Sequence, residues 1–158
     1  MYYLVINLVF ILSVGLSGCA VERIGMGILP DGTPVYLHAS PPSLEDVKAF
    51  RKTHFLEAGN EQSKIEFLLK RVRTSPYTFL RNGESGDGEK TVEFIRWKIT
   101  RPRWRGKVKT VQDFVNVIMN GSVMSGECYV AVLPGEGQHN LQSLLKNELN
   151  ALESLLKS

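Results

Sequence analysis

Near the C-terminus, Leu141, Leu144, Leu145, Leu149, Leu152, Leu155 and Leu156 recur at steps of three and four. That spacing puts them on one helical face, and an apolar stripe about four turns long has to be covered. The chain therefore builds a core on this helix, although a stripe of this length also suits a dimer seam. Ile65, Leu68, Leu69 and Val72 form a second such face, which Thr74-Ser75-Pro76 ends. From Lys90, Val92, Ile95 and Ile99 fit one helical face while Ile95, Trp97 and Ile99 also alternate as a strand would; the helix formers around them favour a third helix, up to Arg101-Pro102. Thr110 and Asp113 have the spacing of a capping box; the helix they open turns Val111, Phe114, Val115 and Ile118 inward and stops at Asn120-Gly121. Two short strands are expected, at Tyr77-Thr78-Phe79-Leu80 and from Glu127 to Leu133, pairing antiparallel. The turn signals Asn82-Gly83 and Pro134-Gly135 end them. The polar, glycine-rich residues 83–88 read as a loop. The expected class is α+β, a small and mostly helical domain. A hydrophobic fraction of 43% with 22% charged residues supports a folded bulk.

The other end of the chain carries a different signal. Residues 2–16 are almost wholly apolar and uncharged, short for a bilayer span and long enough for a signal-peptide core. They run into Leu16-Ser17-Gly18-Cys19-Ala20, which resembles the cleavage and lipidation site of bacterial lipoproteins. The expectation is a signal peptide over 1–18 and a lipidated Cys19, against the alternative of an uncleaved anchor. Met1-Tyr2-Tyr3 lacks the usual Lys or Arg of such signals. Acyl chains on Cys19 would hold the protein stably at a membrane. Ala20 fits the periplasmic face of the outer membrane if the cell is Gram-negative. Residues 19–60 read as a tether, rich in Gly and Pro, with one short helix. Ser43 caps that helix, and Leu44, Val47 and Phe50 reach toward Leu56 before Gly59-Asn60. The compact domain is expected over 61–158. Cys128, in an apolar alternating stretch, reads as a small buried hydrophobe.

The net charge of +3 conceals an uneven distribution. Residues 64–109 hold 13 basic and 5 acidic side chains, a net +8, between flanks of −2 (19–63) and −3 (110–158). Arg96, Lys98, Arg101, Arg103, Arg105, Lys107 and Lys109 are interleaved with Trp97 and Trp104. Arginines and tryptophans together suit contact with an anionic surface, such as lipid headgroups, a cell-wall polymer or an acidic protein. The bland reading is a solvated face with Trp104 anchoring a loop. Nucleic acid is not expected as the partner of an exported protein. His38, His54 and His139 match no metal spacing, no serine sits in a nucleophile elbow, and Cys128 lacks a base in sequence reach. No catalytic residue, metal or cofactor is expected.

The segments Lys64-Ile65-Glu66-Phe67-Leu68-Leu69 and Ser75-Pro76-Tyr77-Thr78-Phe79-Leu80-Arg81-Asn82-Gly83 stand in order before Phe94-Ile95-Arg96-Trp97-Lys98-Ile99, Val111-Gln112-Asp113-Phe114-Val115 and Ser125-Gly126-Glu127-Cys128-Tyr129. Together with the last helix they resemble the DUF5329 family of small exported bacterial proteins, YfeK-like proteins among them, over about residues 61–156. The resemblance implies periplasmic residence and a small helical domain, and it implies no activity. Pro76-Tyr77 stands where many relatives have a cysteine, so no bridge to Cys128 is expected. The turns at Arg81-Asn82-Gly83 and Ser125-Gly126 have structural explanations. They would also flank one shallow groove, with Tyr129 as a wall and Arg81 and Arg96 presented to a carboxylate or sugar acid. The functional expectation is a non-enzymatic envelope lipoprotein that binds or supports another envelope component. The alternatives are a binding module for a small anion or cell-wall fragment, and a cell-wall hydrolase with an unfamiliar site.

Overall fold

A computed structural model describes residues 23–157, so the expected signal peptide and Cys19 lie outside the described residues. The elements are α1 (Leu44–Arg51), α2 (Glu61–Arg73), β1 (Thr78–Arg81), β2 (Glu84–Gly86), α3 (Gly88–Thr100), α4 (Val111–Asp113), β3 (Val130–Leu133), β4 (Gly137–Asn140) and α5 (Leu141–Lys157). A π-helical turn, Phe114–Ile118, continues α4 without a break. The strands form one antiparallel sheet in the order β2-β1-β3-β4.

The class is α+β and mostly helical, with four strands in the sheet where the sequence reading has two. The two unforeseen strands carry no alternating apolar pattern. β2 reads Glu-Ser-Gly and pairs with β1 because Asn82 (φ 50°) and Gly83 (φ 77°) both take left-handed backbone. A two-residue turn of that kind matches strand twist and folds the next residues back into register. β4 reads Gly-Gln-His-Asn and follows the short turn after Leu133. Backbone pairing, not side-chain burial, makes both of them strands, so hydrophobic periodicity misses them. His139, two residues before α5, is buried in β4.

α2 and α5 form the centre. Ile65, Leu68, Leu69 and Val72 of α2 meet Leu141, Leu144, Leu145 and Leu149 of α5 in the main core, with Phe79, Val92, Ile95 and Phe114. Capping agrees with the sequence. Ser43 Oγ accepts from Asp46 N at 3.2 Å while Asp46 Oδ2 accepts from Ser43 N at 2.8 Å. Thr110 and Asp113 make the same reciprocal pair. Gly88 starts α3 where a Cβ would stand 2.1 Å from Val72 O, so the two helices touch through bare backbone.

The tether expectation fails for residues 23–60. Val35 and Leu37 are buried in the main core, and Val47, Phe50 and Leu56 pack with Phe67 and Leu152 in a second cluster. The turns that look like linker punctuation lay this segment along α5. One buried ion pair holds it there. Glu148 on α5 is fully buried, and its carboxylate takes Arg71 Nε at 2.8 Å and Nη2 at 3.2 Å. The same carboxylate accepts the Leu37 N–H at 2.7 Å, and Arg71 Nη2 donates to Ser40 O at 2.9 Å. Two helices and the N-terminal segment thus share one charge centre, with its polar atoms satisfied. Removing either partner leaves a bare buried charge. Arg71→Met or Glu148→Met should each lower the urea-unfolding free energy by about 3–5 kcal/mol, whereas the double Met variant should recover most of that loss.

Candidate functional site

Of the side chains that the sequence singles out, α3 carries Arg96, Trp97 and Lys98. Lys98, expected on the anionic-contact surface, is instead only 4% exposed. Its Nζ donates to Ile118 O at 2.5 Å, Gly121 O at 2.8 Å and Tyr129 Oη at 2.9 Å. The reason lies in the π turn, whose wider winding leaves terminal carbonyls free, and the ammonium closes them. The Lys98 ammonium also lies 4.8 Å from the Tyr129 ring centre and 5.1 Å from that of Trp104. Lys98 is therefore a structural cation within the basic run. Arg96 is also engaged, with both Nη atoms on the Glu66 carboxylate of α2.

The four groove residues do gather at one end of the sheet. Ser125 Oγ donates to Asn82 Oδ1 at 2.7 Å, tying the 121–128 loop to the tip of the β1–β2 hairpin. Arg81 lies 3.9 Å from the centre of the Phe94 ring and donates to Glu84 Oε2 at 3.0 Å. Phe94 meets Tyr129 edge-on at 5.7 Å. Beside them a cavity of about 140 Å³ opens between the hairpin and α3, lined by Phe79, Arg81, Lys90, Phe94, Met119 and Tyr129 among others. Drug-sized ligands need roughly 300 Å³ or more, so this cavity takes a single small group. Arg81 and Arg96 do not converge on it as a pair, because each already holds a different carboxylate. Sequence reasoning missed Phe94 as the platform that joins Arg81 to Tyr129. Its helical neighbour Trp97, three residues on, was the available signal.

The part of the basic run that is exposed and unpaired begins after α3. Arg101 lies 4.1 Å from the Trp97 ring centre, and Arg103 and Lys107 lie 5.3 and 5.8 Å from that of Trp104. Arg101, Arg103, Arg105 and Lys107 are exposed, and none forms an ion pair with a carboxylate among the described residues. Lys109 is exposed and lowers the Asp113 pKa, after the backbone and Thr110 hydrogen bonds that dominate that shift. Cys128 is half-buried rather than fully buried, with a free thiol. Among the described residues no three His, Cys, Asp or Glu side chains converge as a metal ion needs. No described helix is long and apolar enough to cross a membrane.

The hairpin tip and the described N-terminus occupy opposite corners of the sheet. Gly25 pairs in parallel with His139 on the outer edge of β4, through Gly25 N to Gln138 O at 2.7 Å and Asn140 N to Gly25 O at 2.8 Å. The order across the sheet is then residue 25, β4, β3, β1, β2, a span of about 19 Å at ordinary strand spacing. Along the strands, the register sets Arg23 level with the β3–β4 turn, away from Asn82-Gly83.

These features define a small α+β domain with an aromatic and basic surface at one end of its sheet. The family profile described as "Family of unknown function (DUF5329)" matches residues 59–153, more than half of the chain, and the protein belongs to that family. Comparison with curated proteins and with solved structures gives no match.

Burial, reinforced by Arg103, lowers the Lys98 pKa from 10.5 to about 8. Between those values the unfolded chain binds more protons than the folded one, so stability rises with pH. Burial raises the Tyr129 phenol above its usual 10, against the opposing pull of Arg81, and this reverses the trend at higher pH. Urea titrations should show a gain on the order of 2 kcal/mol between about pH 8 and 10, and Lys98→Met should abolish it.

Proposed function

We propose that the protein is a non-enzymatic envelope lipoprotein, anchored through Cys19, whose Arg–Trp surface docks an anionic envelope component facing away from the anchoring membrane. The observation that carries this reading is the set Arg101, Arg103, Arg105 and Lys107, exposed and without acidic partners beside Trp97 and Trp104. A merely solvated basic face is free to pair with its neighbours, as Arg96 and Arg81 do. Here Arg101, Arg103 and Lys107 lie over aromatic rings, and the donors of all four cations are left for another molecule. Arg fork geometry suits phosphate and carboxylate groups, and the rings add an interfacial surface. The orientation agrees with this. Chain from Cys19 joins the fold at the corner opposite the hairpin tip, and α3 runs toward that tip end, where Phe94 meets Tyr129 and Arg81.

A second reading, capture of a small acidic fragment in the 140 Å³ cavity, draws on Arg81 at its rim. It requires the ligand to displace Glu84 from the guanidinium.

Charge reversal at Arg101, Arg103 and Arg105 to Glu should weaken binding to phosphatidylglycerol vesicles about a hundredfold in co-sedimentation, with phosphatidylcholine as the neutral control. Arg81→Ala should leave that binding unchanged. Loss of binding in Arg81→Ala, with the reversal variant unaffected, would favour the second reading. For the anchor, cells fed a fatty-acid analogue should label the parent protein and not Cys19→Ala; continued labelling of that variant would refute lipidation.

A further inference from the structure

The segment that leaves the anchor carries its own apolar surface. Ile24, Met26 and Ile28 are 39%, 67% and 55% exposed, while Gly25, Gly27 and Leu29 between them turn toward the body. Although the chain bends at Gly27 (φ 74°), all three large side chains are exposed and form one short apolar ridge on the segment. It is also firmly mounted. Besides the Gly25 pairing to β4, Gly27 O accepts from Val35 N at 2.8 Å and from Asn147 Nδ2 at 2.7 Å. A Cβ on Gly25 would stand 2.6 Å from the His139 ring and one on Gly27 3.1 Å from Ser143 and Asn147, so the glycines let the backbone lie flat on the fold.

Three ordered, solvent-facing apolar side chains in a row need something to cover them. The position of the ridge says what. Ile24 is five residues after Cys19, so the extended chain reaches at most about 18 Å from the acylated residue to the start of the ridge. A membrane that holds Cys19 therefore keeps this ridge within about 18 Å of its surface, and of the described residues it lies nearest to Cys19 along the chain. We infer that Ile24, Met26 and Ile28 insert into the lipid interface of the anchoring membrane and fix the orientation of the domain on it. This rests on the proposed acylation for its natural setting. With the ridge in the bilayer, the hairpin corner and the Arg–Trp surface point outward, and the docking is apolar and indifferent to salt. The few charges nearby agree, because exposed Arg23, Asp31 and Lys146 give no basic patch of their own.

The test supplies the anchor independently of the cell. Residues 19–158 carrying Cys128→Ala are coupled through Cys19 to a maleimide-bearing phospholipid in phosphatidylcholine vesicles with brominated acyl chains. Tryptophan is introduced as Met26→Trp or, at the far corner, Met124→Trp, a site 95% exposed in the parent. After subtraction of the parent signal, the probe at position 26 should be quenched at least about threefold more than that at 124, since the interface lies within roughly 10 Å of the apolar face. The difference should persist at about 0.5 M salt, where the screening length falls to a few ångströms. Adding Ile24→Ser and Ile28→Ser should bring it down to the level of position 124. Equal quenching at the two positions overturns the inference, as does a difference that salt abolishes. Intact mass of the protein purified from cells tests acylation separately, so failure of the anchor and failure of the ridge read differently.

Discussion

The buried pair of Arg71 and Glu148 joins parts of the chain that would otherwise have little reason to stay together. Glu148 lies on the leucine-rich helix, amid its apolar stripe, where an unpaired carboxylate would be prohibitively costly. Arg71 reaches it from α2, and the Leu37 amide and Ser40 carbonyl complete the arrangement from the N-terminal segment. A buried ion pair adds little net stability over an apolar pair of similar volume, but it tolerates few alternative packings. Here it sets how α2 lies on α5 and draws residues 35–40 onto both. That segment carries the Gly25 pairing at the edge of the sheet and Val35 and Leu37 in the core.

A second charge performs a related task at the other end of the molecule. Lys98 has no carboxylate partner and is held by two backbone carbonyls and a phenol. It joins α3 to the end of the π turn and to the start of β3, and so shapes the wall of Tyr129 and Phe94 beside Arg81. Arg71 and Lys98, both buried, share a sequence appearance with the exposed arginines and differ from them in what they contact. Arg71 and Lys98 organise the fold, whereas Arg101, Arg103, Arg105 and Lys107 are exposed and form no ion pair among the described residues. The exposed cations after α3 and the apolar row of Ile24, Met26 and Ile28 lie at separate parts of the fold.

Helices were legible where apolar side chains recur every three or four residues. The faces of α2, α3 and α5 and the capping boxes at Ser43 and Thr110 could be read directly, because helical contacts are local. β2 and β4 were not legible, since Glu-Ser-Gly and Gly-Gln-His-Asn are strands only through the partners beside them. The N-terminal segment was misread for a similar reason: Gly and Pro mark turns equally well in a linker and in a packed strap. At the candidate site, the Asn82 and Ser125 turns were noticed together and do touch, yet Lys98 was counted with the surface cations. Nothing in its neighbours' identities shows that the π turn leaves carbonyls to receive it.

The sequence by itself determined the helical faces, the caps, the turn at Asn82-Gly83 and the concentration of basic charge in the middle of the chain. These depend on residue type and spacing over a few turns. Tertiary structure decided which charges are buried, which strands exist, and that residues 23–60 belong to the domain. Those outcomes depend on which distant backbone groups each side chain meets. Burial of Glu148 and Lys98 is decided across 77 and 31 residues of chain, by Arg71 and Tyr129 respectively, and no local pattern reports it.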